Sequence, residues 1–239
     1  MNRALRSEYL AALGLESWIL RRGPAAGTST PPAAPQPTPL TAPQPTPPGA
    51  LADFGWAELR AAVAACTRCP LSATRTQTVF GVGSVEASWL IVGEAPGAEE
   101  DRQGEPFVGR AGQLLNAMLR AIGLSREQVF IANVLKCRPP RNRDPAPLEA
   151  AQCLPYLERQ IALLRPRIML AVGRISAQNL LKTDVSLGRL RGQVHHFGVS
   201  RVPLVVTYHP AYLLREPAEK RKAWEDLQFA REVYSGVQR

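Results

Sequence analysis

The sequence predicts an α/β fold, a three-layer α/β/α sandwich around a central four-stranded parallel sheet. Three observations predict it. Four short apolar runs, residues 89–92, 129–132, 168–172 and 204–207, have the length and composition of buried strands. Longer stretches of helical periodicity separate them. Each run is followed by polar or glycine-bearing sequence, as a strand ending in a loop should be. Buried strands alternating with helices require a parallel sheet covered on both faces.

Taken in order, residues 1–23 read as an amphipathic helix with Leu5, Tyr9, Leu10, Leu13 and Trp18 on its apolar face. Such a helix packs on the main domain or docks on a protein partner. Residues 24–50 contain ten of the chain's 22 prolines and the hexapeptide APQPTP twice. This is a Pro/Ala/Thr-rich linker, partly polyproline-like, extending about 3.1 Å per residue. Residues 51–239 form the globular part. Helices are expected over 56–66, 114–124, 148–164 and 176–181, and a last one after Pro217 that includes Trp224 and Leu227.

The chain has 239 residues and a net charge of +9, which favours a polyanionic partner such as nucleic acid. No apolar run is long enough to span a membrane, and the N-terminus has no small-residue cleavage site. The expectation is a cytoplasmic monomer without a membrane partner.

Four cysteines are present, Cys66, Cys69, Cys137 and Cys153, spaced C-x2-C, a long gap, then C-x15-C. Buried inert thiols are the plain alternative. A redox C-x-x-C pair would sit at a helix start beside a strand, whereas Cys66 falls at a helix end. Four thiolates suit zinc or an iron–sulfur cluster, and their spacing leaves both open.

In open parallel sheets, ligands bind at the carboxyl ends of the strands. Here those ends carry Gly93-Glu94-Ala95-Pro96-Gly97, Asn133, Gly173-Arg174 and His209-Pro210. A Gly-Glu-x-Pro-Gly turn, an amide and a histidine therefore converge on one crevice. His195 and His196 have no such setting and read as surface or hairpin residues.

Four segments in this order resemble the family 4 uracil-DNA glycosylases. They are Gly93-Glu94-Ala95-Pro96-Gly97-Ala98-Glu99-Glu100-Asp101, then Gly104 to Gly112 (GEPFVGRAG), then Asn133-Val134-Leu135-Lys136-Cys137-Arg138-Pro139-Pro140, and finally His209-Pro210-Ala211-Tyr212-Leu213-Leu214-Arg215. The similarity covers roughly residues 58–230 and leaves residues 1–50 outside. It implies a uracil-DNA glycosylase-like fold and excision of uracil from single- or double-stranded DNA, leaving an abasic site. It also implies a [4Fe-4S] cluster on the four cysteines. Some relatives have been labelled phage-DNA-polymerase-like, so a non-catalytic accessory module beside a polymerase is the alternative. A zinc-stabilised nucleotide hydrolase is a further alternative, but the chain has no P-loop.

The chemistry of uracil removal assigns expected roles. The base leaves the stack and enters a pocket. His209, as a neutral imidazole, is the candidate donor to uracil O2 as negative charge grows there. Asn133 is the candidate reader of O4 and N3–H, since its amide offers one donor and one acceptor edge. Phe107 is the candidate stacking platform. Gly93, Ala95 and Gly97 line the turn. The better-known uracil glycosylases carry Asp and Tyr in this turn where this chain has Ala95 and Gly97. A general base at position 95 is thus absent. Either the turn backbone positions water while the DNA phosphates stabilise the cation, or an acid such as Glu94, Glu100 or Asp101 assists; positioning by Glu94 together with the turn backbone is favoured. Glu100 is also a candidate to fill the space of the missing tyrosine. For DNA contacts the candidates are Arg110, Arg138, Arg141, Arg143 and Arg215, with Leu213 and Leu214 as wedges into the duplex. The cluster's expected duty is structural, bracing the Cys66 and Arg138 loops against DNA.

Overall fold

The computed structural model describes residues 48–237. The expected helix over 1–23 and most of the expected 24–50 linker lie outside the described residues. The linker's expected end shifts, because from Pro48 the chain enters a 3-10 turn, Pro48–Asp53, that buries Leu51.

Six strands form one sheet: β1 (Val82–Gly83), β2 (Trp89–Gly93), β3 (Phe130–Asn133), β4 (Ile168–Val172), β5 (His195–Phe197) and β6 (Val202–Thr207). Their spatial order is β1-β3-β2-β4-β6-β5. The central four are mutually parallel, as expected from their apolar runs. The sheet is nevertheless mixed, because β1 and β5 pair antiparallel at its two edges. These edge strands are short and only half-buried, so they carry no apolar run to announce them. His195 and His196 lie on β5, in the hairpin expected for them.

The described helices are α1 (Trp56–Ala64), α2 (Ala98–Gln103), α3 (Arg110–Ala121), α4 (Pro147–Leu164), α5 (Arg174–Leu181), α6 (Leu187–Leu190), α7 (Pro210–Arg215) and α8 (Lys220–Val237). Alternation along the strands builds three layers. Leu90, Val92, Phe130, Ala132, Met169 and Ala171 face α1, α4 and α5, meeting Leu59, Val63, Tyr156, Leu157 and Ala177. Trp89, Ile91, Ile131, Leu170 and Val205 face the other way, onto Leu115 and Leu119 of α3 and Leu227 of α8. On α3 the buried residues Leu115, Met118 and Leu119, with Ile122 at its C-cap, recur at helical spacing.

Strand register decides what meets at the sheet's edge. Gly93 pairs with Asn133, and Val172 pairs with Thr207. The Gly173 N–H then donates to the Thr207 carbonyl at 2.8 Å. All four central strands therefore end level, and their following residues open onto a single crevice. No described helix is long and apolar enough to cross a membrane.

Candidate active site

The crevice is a cavity of about 390 Å³ walled by Glu94, Ala95, Gly97, Phe107, Asn133 and His209, among others. This size suits a single small ligand. The expected turn, amide, aromatic ring and histidine are thus brought together.

Asn133 closes β3 and is buried, 2% exposed. Its side-chain oxygen is buried without a hydrogen-bond partner among the described residues. Such a group is costly to leave unpaired, so it marks a place for a donor. Its position depends on Gly93 on the neighbouring strand. A Cβ at Gly93 would collide with the Asn133 Oδ1 and stand 2.6 Å from Phe107 Cζ. Glycine there lets the amide and the ring close over the strand end.

Phe107 is buried, and its backbone is left-handed (φ 54°). Its ring lies 5.6 Å from the His209 ring, centre to centre, at 30°. The Glu100 carboxylate anchors the surrounding loops. One oxygen accepts from the Val108 and Gly109 N–H groups, and the other from Gly97 N–H, at 3.0–3.1 Å. Asp101 is buried and accepts from Thr76 N–H at 3.0 and 3.1 Å. These two acids are engaged as backbone clamps, which corrects the expectation that either assists water.

His209 is the N-cap of α7, and its Nδ1 accepts from Ala211 N–H at 3.1 Å. In the neutral ring the proton therefore resides on Nε2. Burial, aided by the nearby Arg215 charge and opposed by Glu100, lowers its pKa to about 4. The imidazole is neutral at physiological pH, with one N–H to give.

Glu94 is half-buried on the cavity wall. Burial and the Asp144 carboxylate raise its pKa to about 7, against the opposing charge of Arg174. Asp144, which lines the cavity, pairs with Arg174 at 2.7 Å. Asp144 belongs to a polar loop that no strand-end argument reaches, so sequence alone gave it no role. The Gly93 and Glu94 carbonyls accept from Val134 N–H and Leu135 N–H at 3.0 Å, stitching the turn to the segment after Asn133.

The arginines divide. Arg215 lines the cavity, while Arg110 and Arg141 are exposed. Arg138 donates to the Asn142 Oδ1 at 2.8 Å. Arg143 is exposed, also lines the cavity, and forks onto Glu149 at 2.8 and 2.6 Å. That pair, with Ala146 N–H donating to Glu149 at 2.8 Å, fixes the start of α4. Leu213 is 1% exposed in the core and cannot enter a duplex from there. Of the two leucines, Leu214, at 37% exposed, is the one open to solvent.

The four cysteines line a second, smaller pocket together with Arg68, Lys136 and Tyr156. Cys66 and Cys69 follow α1, Cys137 follows β3, and Cys153 lies on α4. All four are free thiols. Burial pushes the Cys153 thiol up to about 12 and raises Cys69 and Cys137 as well. Arg75 donates to the Cys137 Sγ at 3.0 Å and Lys136 N–H to the Cys153 Sγ at 3.2 Å. Among the described residues, no three His, Cys, Asp or Glu side chains converge tightly enough to hold one metal ion. Fully buried Lys136 joins the two pockets, since its ammonium donates to the Asn133 carbonyl at 2.9 Å and to Gln160 at 2.6 Å. Burial lowers its pKa to about 8, against the opposing influence of the Cys153 and Cys137 thiols.

Comparison with known proteins agrees with this layout. A family model described as "Uracil DNA glycosylase superfamily" matches residues 80–228, which hold every cavity residue named above. Three relatives named type-4 uracil-DNA glycosylase come from Archaeoglobus fulgidus, Pyrobaculum aerophilum and Sulfurisphaera tokodaii. They are 44%, 46% and 41% identical to this chain. The aligned regions cover 69%, 68% and 74% of this chain and 86%, 86% and 83% of the relatives. With identity at that level across most of both partners, and a superfamily match over the whole sheet, the chain belongs to the type-4 uracil-DNA glycosylases.

Proposed function

We propose that this protein excises uracil from DNA by hydrolysis of the N-glycosidic bond, leaving an abasic site. The observation that carries the proposal is the pairing of an unpartnered Asn133 oxygen with a neutral His209 in one base-sized cavity. A flipped uracil enters the cavity and stacks on Phe107. Asn133 accepts from N3–H through its oxygen and donates to O4, a pattern cytosine does not match. As the bond to C1′ lengthens, charge gathers on the base, and the His209 Nε2–H donates to O2. Glu94, balanced near neutrality, orients the attacking water and accepts its proton. Ala95 supplies no carboxylate, so this task falls to its neighbour. Gly93 and Gly97 keep the turn open, and Glu100 occupies the wall beside Gly97. Arg110, Arg138, Arg141, Arg143 and Arg215 are the proposed phosphate contacts, and Leu214 replaces Leu213 as the proposed wedge.

Cys66, Cys69, Cys137 and Cys153 are proposed to hold a [4Fe-4S] cluster. An all-thiol donor set on a shared pocket fits it, with Arg75 and the Lys136 amide supplying hydrogen bonds to sulfur. When bound, the cluster supplies thiolate–iron bonds that tie the α1 loop, the β3 loop and α4 together.

Incubation with a uracil-containing oligonucleotide, followed by alkali, is expected to cut the strand at the uracil. No release from either single- or double-stranded substrate would overturn the proposal. The same purified protein is expected to be brown and to contain iron and acid-labile sulfide. A colourless, fully active protein holding one zinc would refute the cluster.

The pH profile tests Glu94. As a base it must be ionised, so the rate is expected to fall as pH drops through about 7. Asp144→Asn removes a negative neighbour and should move this limb to lower pH. Arg174→Gln removes a positive one and should move it higher. A limb that persists unshifted in Glu94→Gln would assign the ionisation elsewhere.

A further inference from the structure

Arg126 lies outside the cavity, in a 3-10 turn, Arg126–Gln128, that leads directly into β3. Its half-buried guanidinium reaches the back of the cavity wall. Nη2 donates to the Pro106 carbonyl, and Nη1 to the Phe107 carbonyl at 3.3 Å and to the Asn116 Oδ1 of α3 at 3.4 Å. Pro106 and Phe107 are both buried, so their carbonyls need donors from within the protein.

The residue held in this way has an uncommon backbone. A φ of 54° is a left-handed conformation that bulky side chains seldom adopt, and it persists only where the surroundings enforce it. The enforcement comes from three sides. Glu100 takes the amides that follow Phe107, at Val108 and Gly109. The first turn of α3 presses on the Phe107 carbonyl so closely that a Cβ at Gly112 would collide with it. Arg126 takes the two carbonyls. Glu100 and, from the first turn of α3, Ala111 line the cavity, whereas Arg126 lies behind it. Since the Arg126 turn continues into β3, the segment that ends in Asn133 also braces the ring that faces it.

We infer that Arg126 is a positioning residue for uracil excision: its guanidinium holds the 106–107 backbone so that the Phe107 ring presents its face to a flipped pyrimidine. It touches no substrate. This inference rests on Phe107 being the stacking platform. Lysine would keep the charge at 126 but lose the planar fork that spans two carbonyls and an amide.

A double-mutant cycle under single-turnover conditions tests it, with the full-length protein and a uracil-containing oligonucleotide. Phe107→Ala and Arg126→Lys are each expected to slow excision by about 10- to 100-fold, the range that misplacement of a positioning group produces. The double variant is expected to lie within about twofold of Phe107→Ala alone, because the two changes remove one effect. Binding to abasic product is expected to be unchanged in Arg126→Lys. Equal fold-losses from Arg126→Lys with and without Phe107, or none in either background, would overturn the role of Arg126 while leaving the platform intact. A full rate in Phe107→Ala would overturn the platform itself. Should Arg126→Lys not fold, Arg126→Gln, which keeps an amide donor, carries the same cycle with the same outcomes.

Discussion

Replacing His209 with alanine is expected to slow single-turnover uracil excision by about 100- to 1,000-fold, the usual worth of one preorganised donor to a developing anion. Binding to uracil-containing DNA is expected to change only a few-fold. The asymmetry follows from where the donor acts. The Ala211 N–H occupies Nδ1, so Nε2 carries the proton, on a ring that lines the cavity. Ground-state uracil O2 is a weak partner, and the departing base is a strong one. Only the second interaction is lost in proportion to its strength. Because the ring's pKa is about 4, wild-type protein should show no His209 ionisation between pH 6 and 8 in the rate profile, on the order of the range where an ordinary histidine titrates. An unchanged rate in His209→Ala, or a loss matched by an equal loss of binding, would remove the residue from the chemistry.

Asn133→Ala is expected to cost about 1,000-fold or more in excision. Sites built to pair with a substrate's polar edge lose discrimination on the order of 10⁴ when that pairing is absent. Asn133 is 2% exposed and its oxygen has no partner among the described residues, so its pairing is reserved for a ligand. Affinity for abasic product, which lacks the base, should be retained. Parallel losses of excision and product binding would make Asn133 a structural residue of the β3 end. The thermal melt separates the cases further. The Lys136 ammonium bonds to the Asn133 backbone carbonyl, which alanine keeps, so folding should survive the substitution.

These two side chains were visible in the sequence because each sits immediately beyond an apolar run, where an open parallel sheet presents its ligand-binding edge. Glu94 was visible for the same reason. The edge strands β1 and β5 were not, since two or three half-buried residues leave no periodic signal. The four cysteines were legible as a set, yet their common pocket depends on α1, β3 and α4 packing together. The loop arginines were legible only as a charged cluster. Which of them forms an ion pair within the protein turned on Glu149, a residue six positions from Arg143 that becomes its partner at the start of α4.

Local chemistry was enough for the α/β class, the four parallel strands and the strand-end residues Glu94, Asn133 and His209 of the crevice, because strand length, apolar composition and chain order are properties of neighbouring residues. Long-range packing decided the rest. It made Glu100 and Asp101 clamps rather than free acids, buried Leu213, brought Asp144 to bear on Glu94, and set Arg126 behind Phe107. Each of those outcomes is a contact between segments many residues apart, and the geometry of such a contact exists only once the sheet register and the helices upon it are in place.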